Sequence, residues 1–122
     1  VAVFLSQSVE LPIVHLAAFR SALVSVPLFT LFGEDALAFR LANSGAKAVV
    51  TDQTGFEKLA RIRDQLPDLQ HVYVIADIPP AGTRSFWQAI ADVPDAFANV
   101  ATAADDPAII IFTSGTTGNP KG

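Results

Sequence analysis

Short runs of apolar residues alternate along the chain with longer stretches in which apolar positions recur every three or four residues. The short runs are typical of buried strands, and the longer stretches are typical of helices that pack through one face. Because the two kinds of segment alternate, the chain is predicted to be an α/β protein with an open, mostly parallel sheet and helices on both faces. The predicted strands cover residues 1–5, 23–28, 48–51, 71–75 and 108–112.

Polar residues and a glycine mark the predicted ends of the first two helices. Ser8 is expected to cap the first helix, since a serine hydroxyl can accept a hydrogen bond from an amide of the first turn. The buried face of that helix is predicted to carry Val9, Ile13, Leu16, Ala17 and Arg20. The second helix is predicted over 34–43, and Gly45 is available for the left-handed conformation that follows a helix.

Two capping boxes are predicted to open the third and fourth helices. They pair Thr54 with Glu57 and Ser85 with Gln88. A turn is predicted over 79–82, and a connection with about one helical turn over 92–106. The buried face of the third helix is expected to carry Phe56, Leu59, Ala60 and Arg63.

Composition excludes several classes of function. The chain has 122 residues, a net charge of −4 and no cysteine, which argues against nucleic-acid binding, a disulfide framework and a thiolate metal site. The two histidines, His15 and His71, are far apart and are interpreted as structural, so no metal site is predicted. No apolar stretch approaches the roughly 18 residues of a membrane span.

The high apolar content and the first residue suggest a piece of a longer protein. A mean hydropathy of +0.41 is expected from a sheet buried on both faces, or from a fragment that exposes former interfaces. Val1 begins what reads as a core strand, and no basic segment precedes it. We therefore expect no signal peptide, a cytoplasmic location, and a chain truncated at both ends.

The last ten residues carry the strongest chemical signal. They follow the apolar run 108–112 and are rich in hydroxyls and glycine, with a lysine near the end. Glycine lets backbone amides close around an anion, hydroxyls add donors, and lysine adds a positive charge. A solvated linker is the alternative for such a composition. The predicted phosphate-binding residues are Thr113, Ser114, Gly115, Thr116, Thr117, Gly118 and Lys121.

The loop is not of the Walker type. That pattern requires glycine at its sixth position and a hydroxyl after the lysine. Counted from Gly115, the sixth position is Pro120, and Lys121 is followed by Gly122. The ordered string Thr-Ser-Gly-Thr-Thr-Gly-Asn-Pro-Lys-Gly over 113–122 instead resembles the phosphate loop of the adenylate-forming superfamily, and Asp105-Asp106-Pro107 resembles its lead-in.

The resemblance extends upstream, where residues 20–28 and 40–47 look like the early core of acyl-CoA synthetases. The stretch 26–33 is more similar to short- and medium-chain acyl-CoA synthetases than to peptide-synthetase domains. The resemblance implies that 1–122 is a partial N-terminal AMP-binding domain that ends in the loop 113–122. These upstream residues are interpreted as builders of the sheet rather than as substrate contacts.

The resemblance also implies an activity. The parent would be an AMP-forming ligase that uses ATP to activate a small carboxylic acid as an acyl-adenylate and then transfers the acyl group to CoA, with Mg²⁺ accompanying the nucleotide. The loop would hold the β- and γ-phosphates. The catalytic residues would lie in the remainder of the protein's own chain, so none is assigned here. A luciferase-like enzyme, a peptide-synthetase domain and a non-catalytic nucleotide-binding module remain alternatives.

Overall fold

A computed structural model describes residues 1–91, 93–113 and 120–122 of the chain. Five parallel strands form one sheet at the centre of the fold. The strand order is β2-β1-β3-β4-β5, and each neighbouring pair is parallel. The strands are β1 (Ala2–Phe4), β2 (Val26–Pro27), β3 (Ala48–Thr51), β4 (His71–Val74) and β5 (Arg84–Ser85). The helices are α1 (Glu10–Arg20), α2 (Glu34–Asn43), α3 (Gln53–Arg61) and α4 (Phe86–Ala91), with a 3₁₀ turn at Arg63–Gln65.

Both faces of the sheet are covered, as the fold prediction requires. Side chains alternate along β1, so that Ala2 and Phe4 pack in one core with residues of α2 and α3. Val3 packs on the other face with Val14 of α1 and Phe86 of α4. The predicted α/β fold with helices on both faces is confirmed, and burial on both faces accounts for strands that are apolar throughout.

The elements at the centre of the chain match the sequence prediction closely. Helix α2 spans Glu34–Asn43 and β3 spans Ala48–Thr51, which are the predicted bounds. Gly45 follows α2 with φ +60°, the left-handed conformation expected of it. The turn over 79–82 is also present, with Gly82 at φ +78°.

The predicted capping box of Thr54 and Glu57 is not present, so this prediction is wrong. Asp52 caps α3, and its Oδ1 accepts a hydrogen bond of 2.7 Å from the Gly55 amide. The helix therefore begins before Thr54, which lies with Glu57 inside its first turns. The physical reason is that Asp52 follows the buried strand β3 directly, and its carboxylate reaches the free amides before a threonine further along can.

The other two predicted caps are also replaced. Helix α4 begins directly after Ser85, but the Ser85 hydroxyl donates to the Ala76 carbonyl and the Nε2 of the Gln88 side chain donates to the Asp77 carbonyl. These bonds fix the loop after β4 instead of forming the reciprocal pair. Helix α1 has Val9 at its cap position and no side-chain cap, so the prediction for Ser8 is wrong as well.

The buried faces of two helices also differ from prediction. In α1, Val14 and Ala18 are the buried residues, whereas Val9 is 64% exposed and Leu16 is 60% exposed. Because α1 is apolar around most of its circumference, spacing alone does not identify the face that meets the sheet. In α3, Leu59 is buried as expected, whereas Ala60 is exposed and Arg63 falls beyond the helix end at Arg61.

The connection after α4 is tied to the end of α1 by Arg20. The Arg20 Nε donates to Asn99 Oδ1 at 2.6 Å, and Nη2 donates to the Phe97 carbonyl at 3.0 Å. The Val100 amide donates in turn to the Arg20 carbonyl at 2.9 Å. Over 93–106 the structure has no helical turn, and β5 is a strand that the sequence reasoning missed. No helix among the described residues has the length and apolar character needed to cross a membrane.

One strained residue gives a stability prediction. Ala22, just after α1, has φ +54°, a left-handed conformation that a Cβ disfavours. Ala22→Gly should raise the free energy of unfolding by about 1 kcal/mol because glycine adopts this conformation freely. Ala17→Gly, inside α1, is the matched control and should lower it by roughly 0.5–1 kcal/mol. Chemical denaturation of the full-length polypeptide, meaning the longer protein expected to contain residues 1–122, checks both. Equal losses of unfolding free energy in the two variants would contradict the prediction.

Candidate functional site

The segment that leads into the predicted loop attaches to the free edge of β2 through a single residue. The Ser25 amide donates to the Ala108 carbonyl at 2.9 Å, and the Ile110 amide donates to the Ser25 carbonyl at 2.9 Å. This makes one parallel bridge between Ser25 and Ile109. Since the pairing is parallel, the segment leaves the sheet at the edge where all the strands have their carboxyl ends, which is where ligands bind in open α/β sheets.

The predicted strand over 108–112 is therefore shorter than expected, and Pro27 explains why. Residues of a parallel strand direct their backbone groups alternately to its two neighbours. Val26 and Leu28 donate to β1, so the next outward donor after Ser25 would be residue 27. Proline has no amide hydrogen, and the ladder stops after one residue.

Thr113 and Lys121 close the base of the loop. They form an antiparallel bridge in which the Thr113 amide donates to the Lys121 carbonyl at 3.0 Å and the Lys121 amide donates back at 3.3 Å. The structure thus brings together the first and last of the predicted phosphate ligands, and both are exposed. The other predicted ligands lie outside the described residues: Ser114, Gly115, Thr116, Thr117 and Gly118.

This bridge limits which groups could hold an anion. The amides of Thr113 and Lys121 already donate to each other, and Pro120 has no amide hydrogen. Within 113–122, backbone donors to a ligand would therefore have to come from residues 114–119 or Gly122. The Thr113 hydroxyl and the Lys121 ammonium group are exposed at the base and could contribute from there.

Phe112 and Gly122 pack together directly beneath the bridge. A Cβ built on Gly122 would lie 2.8 Å from Cγ2 of Ile110 and 3.0 Å from the nearest ring atom of Phe112. A Cβ does not approach another carbon as closely as 2.8 Å, so only glycine fits unless the Ile110 methyl group and the Phe112 ring move. The two chain ends of the loop are thus held by a backbone bridge and by a side-chain contact.

His15 joins helix α1 to Ser25, the residue just before β2 that also pairs with the loop segment. Ser25 is fully buried, and its Oγ lies 2.7 Å from Nδ1 of His15. Ser25 therefore pairs with the loop segment through its backbone and with α1 through its side chain. This contact fits the interpretation of His15 as a structural residue.

The remaining polar candidates have local roles. His71 is exposed at the start of β4, and Trp87 joins α4 to α1 by donating to Glu10 at 3.2 Å. Asp106 stabilises a turn, in which its carboxylate accepts a hydrogen bond from the Ala103 amide at 2.7 Å. Within residues 1–91, 93–113 and 120–122 there is no group of three or more His, Asp or Glu side chains that could hold a metal ion.

The fold and the loop at the carboxyl edge define an open, parallel α/β protein with its candidate site at the end of an edge strand. The family model of AMP-binding enzymes matches residues 1–122. The chain therefore belongs to the AMP-binding enzyme family.

Relatives and solved structures agree with this assignment. The acetyl-coenzyme A synthetase of Bacillus subtilis is 36% identical, over 98% of this chain and 21% of that protein. The crystal structure of an acyl-CoA synthetase from Brucella canis has a TM-score of 0.87 and 33% identity, over 99% of this chain and 22% of that one. The crystal structure of the anthranilate CoA ligase AuaEII in complex with anthranoyl-AMP has a TM-score of 0.90 and 26% identity, over 98% of this chain and 23% of that one. The chain spans about a fifth of the length of the curated relatives it matches.

The contact between His15 and Ser25 predicts a dependence of stability on pH. Burial lowers the pKa of His15 below its usual 6.5, because the packed ring disfavours the charged form. The unfolded chain then binds a proton more readily, so this contribution to stability is present above about pH 6.5 and is lost as the pH falls through the lower, folded-state pKa. His15→Gln should flatten this part of the profile, since glutamine keeps a hydrogen-bonding group but does not titrate.

Thermal unfolding of the full-length polypeptide between about pH 5 and pH 8 is the measurement. His71→Gln is the matched control, because it removes the exposed histidine and leaves the contact with Ser25 intact. The idea fails if His71→Gln flattens the profile and His15→Gln does not.

Proposed function

We propose that this chain is part of the large N-terminal domain of a cytoplasmic, ATP-dependent carboxylate:CoA ligase and carries the phosphate loop of that enzyme. The observation that supports this best is the closed loop base, where Thr113 pairs with Lys121 at the carboxyl edge of a parallel sheet. Membership of the AMP-binding family and relatives named as CoA synthetases and CoA ligases support the reaction class.

In the proposed reaction a carboxylate oxygen attacks the α-phosphorus of ATP, and pyrophosphate leaves as the acyl-adenylate forms. The sulfur of CoA then attacks the acyl carbonyl, AMP leaves, and a thioester results. The loop would hold the β- and γ-phosphates through the hydroxyls and amides of 113–118. Lys121 would stabilise the negative charge that develops on the departing pyrophosphate.

Mg²⁺ is proposed to bind with the nucleotide, where it would offset phosphate charge. The described part of this chain brings no set of acidic or histidine ligands together for it. We therefore assign no metal ligand here, and the roles of Thr113 and Lys121 are argued without the ion.

The proposed acyl substrate is a short- or medium-chain acid, on the resemblance of residues 26–33. Relatives are named for acetate, for benzoate and for medium-chain fatty acids, so the substrate panel must be broad. The test is carboxylate-dependent exchange of pyrophosphate with ATP by the full-length polypeptide, followed by detection of the CoA thioester. Exchange without a thioester would favour an adenylate-forming enzyme with another acceptor, and no exchange with any acid would favour a nucleotide-binding module.

Lys121→Ala in the full-length polypeptide should slow pyrophosphate exchange about 10²-fold, the usual effect of removing one electrostatic contact to a developing charge. Lys47→Ala is the matched control, because Lys47 is an exposed lysine in the turn before β3 and far along the chain from the loop. It should leave the rate within about twofold of the parent. Equal rates for both variants would remove Lys121 from this role.

The isolated polypeptide 1–122 should not form acyl-CoA. The proposed reaction needs groups for adenine, ribose and the acyl chain, and the chain spans about a fifth of its relatives. Incubation of purified 1–122 with ATP, Mg²⁺, CoA and acetate, with thioester measured by mass spectrometry, checks this. Turnover above the level of a Lys121→Ala sample would contradict it.

A further inference from the structure

Arg40 is a buried cation on helix α2. Its side chain is only 7% exposed, and it lies between the core residues Leu37 and Leu41 of the same helix. Arginine is rarely buried to this extent unless an acidic partner accompanies it. The position therefore requires a physical explanation.

No carboxylate pairs with Arg40 among the residues that the structure describes. Its Nη1 donates to the Ala36 carbonyl at 2.8 Å, one turn earlier in the same helix. Its Nε is buried and has no acceptor among these residues. The ion pair in the described ranges belongs to another arginine, Arg61, which contacts Glu34 at 2.9 Å on the surface.

Two aromatic rings take the place of an acidic partner. The guanidinium carbon lies 4.0 Å from the ring centroid of Phe32 and 5.7 Å from that of Phe112. A desolvated guanidinium is attracted to the faces of such rings, and its planar shape suits this contact better than an ammonium group does. Phe112 also meets Phe39 of α2 edge to face, with centroids 6.4 Å apart.

Phe112 is the residue through which this cluster reaches the loop. It directly precedes Thr113, and its ring lies 3.0 Å from the position that a Cβ on Gly122 of the returning chain would take. Because Pro27 ends the ladder with β2 after a single bridge, backbone pairing to the sheet does not hold Phe112 in place. The side-chain contacts of Phe112 must do so instead.

We propose that Arg40 is a positioning residue for the phosphate loop: its guanidinium holds the Phe112 ring, and that ring sets where Thr113 and Lys121 meet. Arg40 need not touch the nucleotide for this. The effect on catalysis rests on the proposed function, whereas the effect on the loop base is independent of it.

The proposal differs from a purely structural role in a measurable way. A buried arginine without a carboxylate adds little to stability, and an apolar residue of similar length often replaces a buried charge without loss. Arg40→Met should therefore keep thermal stability within about 2 °C of the parent. It should nevertheless loosen the loop base, since methionine offers no planar cation to the Phe112 ring.

The experiment uses the full-length polypeptide with three measurements. Amide hydrogen exchange without nucleotide compares peptides covering 109–122 with peptides covering 48–51 of β3. Pyrophosphate exchange gives kcat and KM for ATP. Arg61→Met is the matched control, because it removes an arginine that is exposed on the neighbouring helix.

For Arg40→Met we expect faster exchange over 109–122, unchanged exchange over 48–51, and a loss of about 10- to 100-fold in kcat/KM for ATP, the usual penalty for a small misplacement of binding groups. Arg40→Lys should show a smaller change of the same kind. Phe112→Leu should reproduce it, and the double variant should be no worse than either single one, because both remove the same contact.

Parent-like hydrogen exchange over 109–122 in Arg40→Met would overturn the proposal, as would additive losses in the double variant. If Arg40→Met does not fold, Arg40→Lys and Phe112→Leu decide the question by the same readouts. If the parent shows no pyrophosphate exchange with any acid, the proposed function fails, but hydrogen exchange over 109–122 still tests the role of Arg40.

Discussion

The parallel direction of every strand is the constraint on which the rest of this structure depends. When all strands run the same way, their carboxyl ends meet at one edge of the sheet, and the loops that follow them share that edge. The segment 108–113 joins the sheet parallel to β2, so the loop that follows must leave at the same edge. The edge of the sheet at which the loop leaves is thus set by one bridge, between Ser25 and Ile109.

That bridge is short, and the chain compensates for it with side chains. Pro27 prevents a second pair of outward backbone bonds, so a long ladder cannot fix the approach to the loop. Just before Thr113 the chain is held by Phe112, whose ring centroid lies 5.7 Å from the Arg40 guanidinium carbon and whose ring lies beside Gly122. At Thr113 itself it is held by the antiparallel bridge to Lys121.

The sequence predicted best where local signals and burial agree. Helix α2 and strand β3 have their predicted bounds, because an acidic first turn, a glycine at φ +60° and a β-branched run all point to the same limits. The prediction of the first capping box was wrong, because Thr54 and Glu57 fit the motif but Asp52 caps the helix instead. The prediction of the buried face of α1 was wrong, because an almost wholly apolar helix has no distinct polar side.

The contacts that hold the base of the loop could not be predicted from the sequence, whereas the phosphate-binding role of the loop was predicted from it and stays a prediction. The candidate phosphate-binding groups of the loop lie on neighbouring residues, so the order of hydroxyls, glycines and lysine can be read directly from the sequence. Arg40 is 72 positions before Phe112, and only the folded chain shows that they meet. One signal was present, because Arg40 lies beside Leu37 and Leu41 on the apolar side of α2, where a cation is unexpected.

Under the proposed function, selectivity for the acyl group is expected to come from outside this region. Proteins named for acetate and for anthranilate match nearly the whole chain, at 36% and 26% identity, although acetate and anthranilate differ greatly in size and polarity. A segment that both kinds of protein share is better suited to the part of the proposed reaction that does not depend on the acyl group, which is the handling of ATP. The described side chains agree with this division, since those at the loop base are a hydroxyl, an ammonium group and a partly buried aromatic support rather than the lining of an apolar pocket.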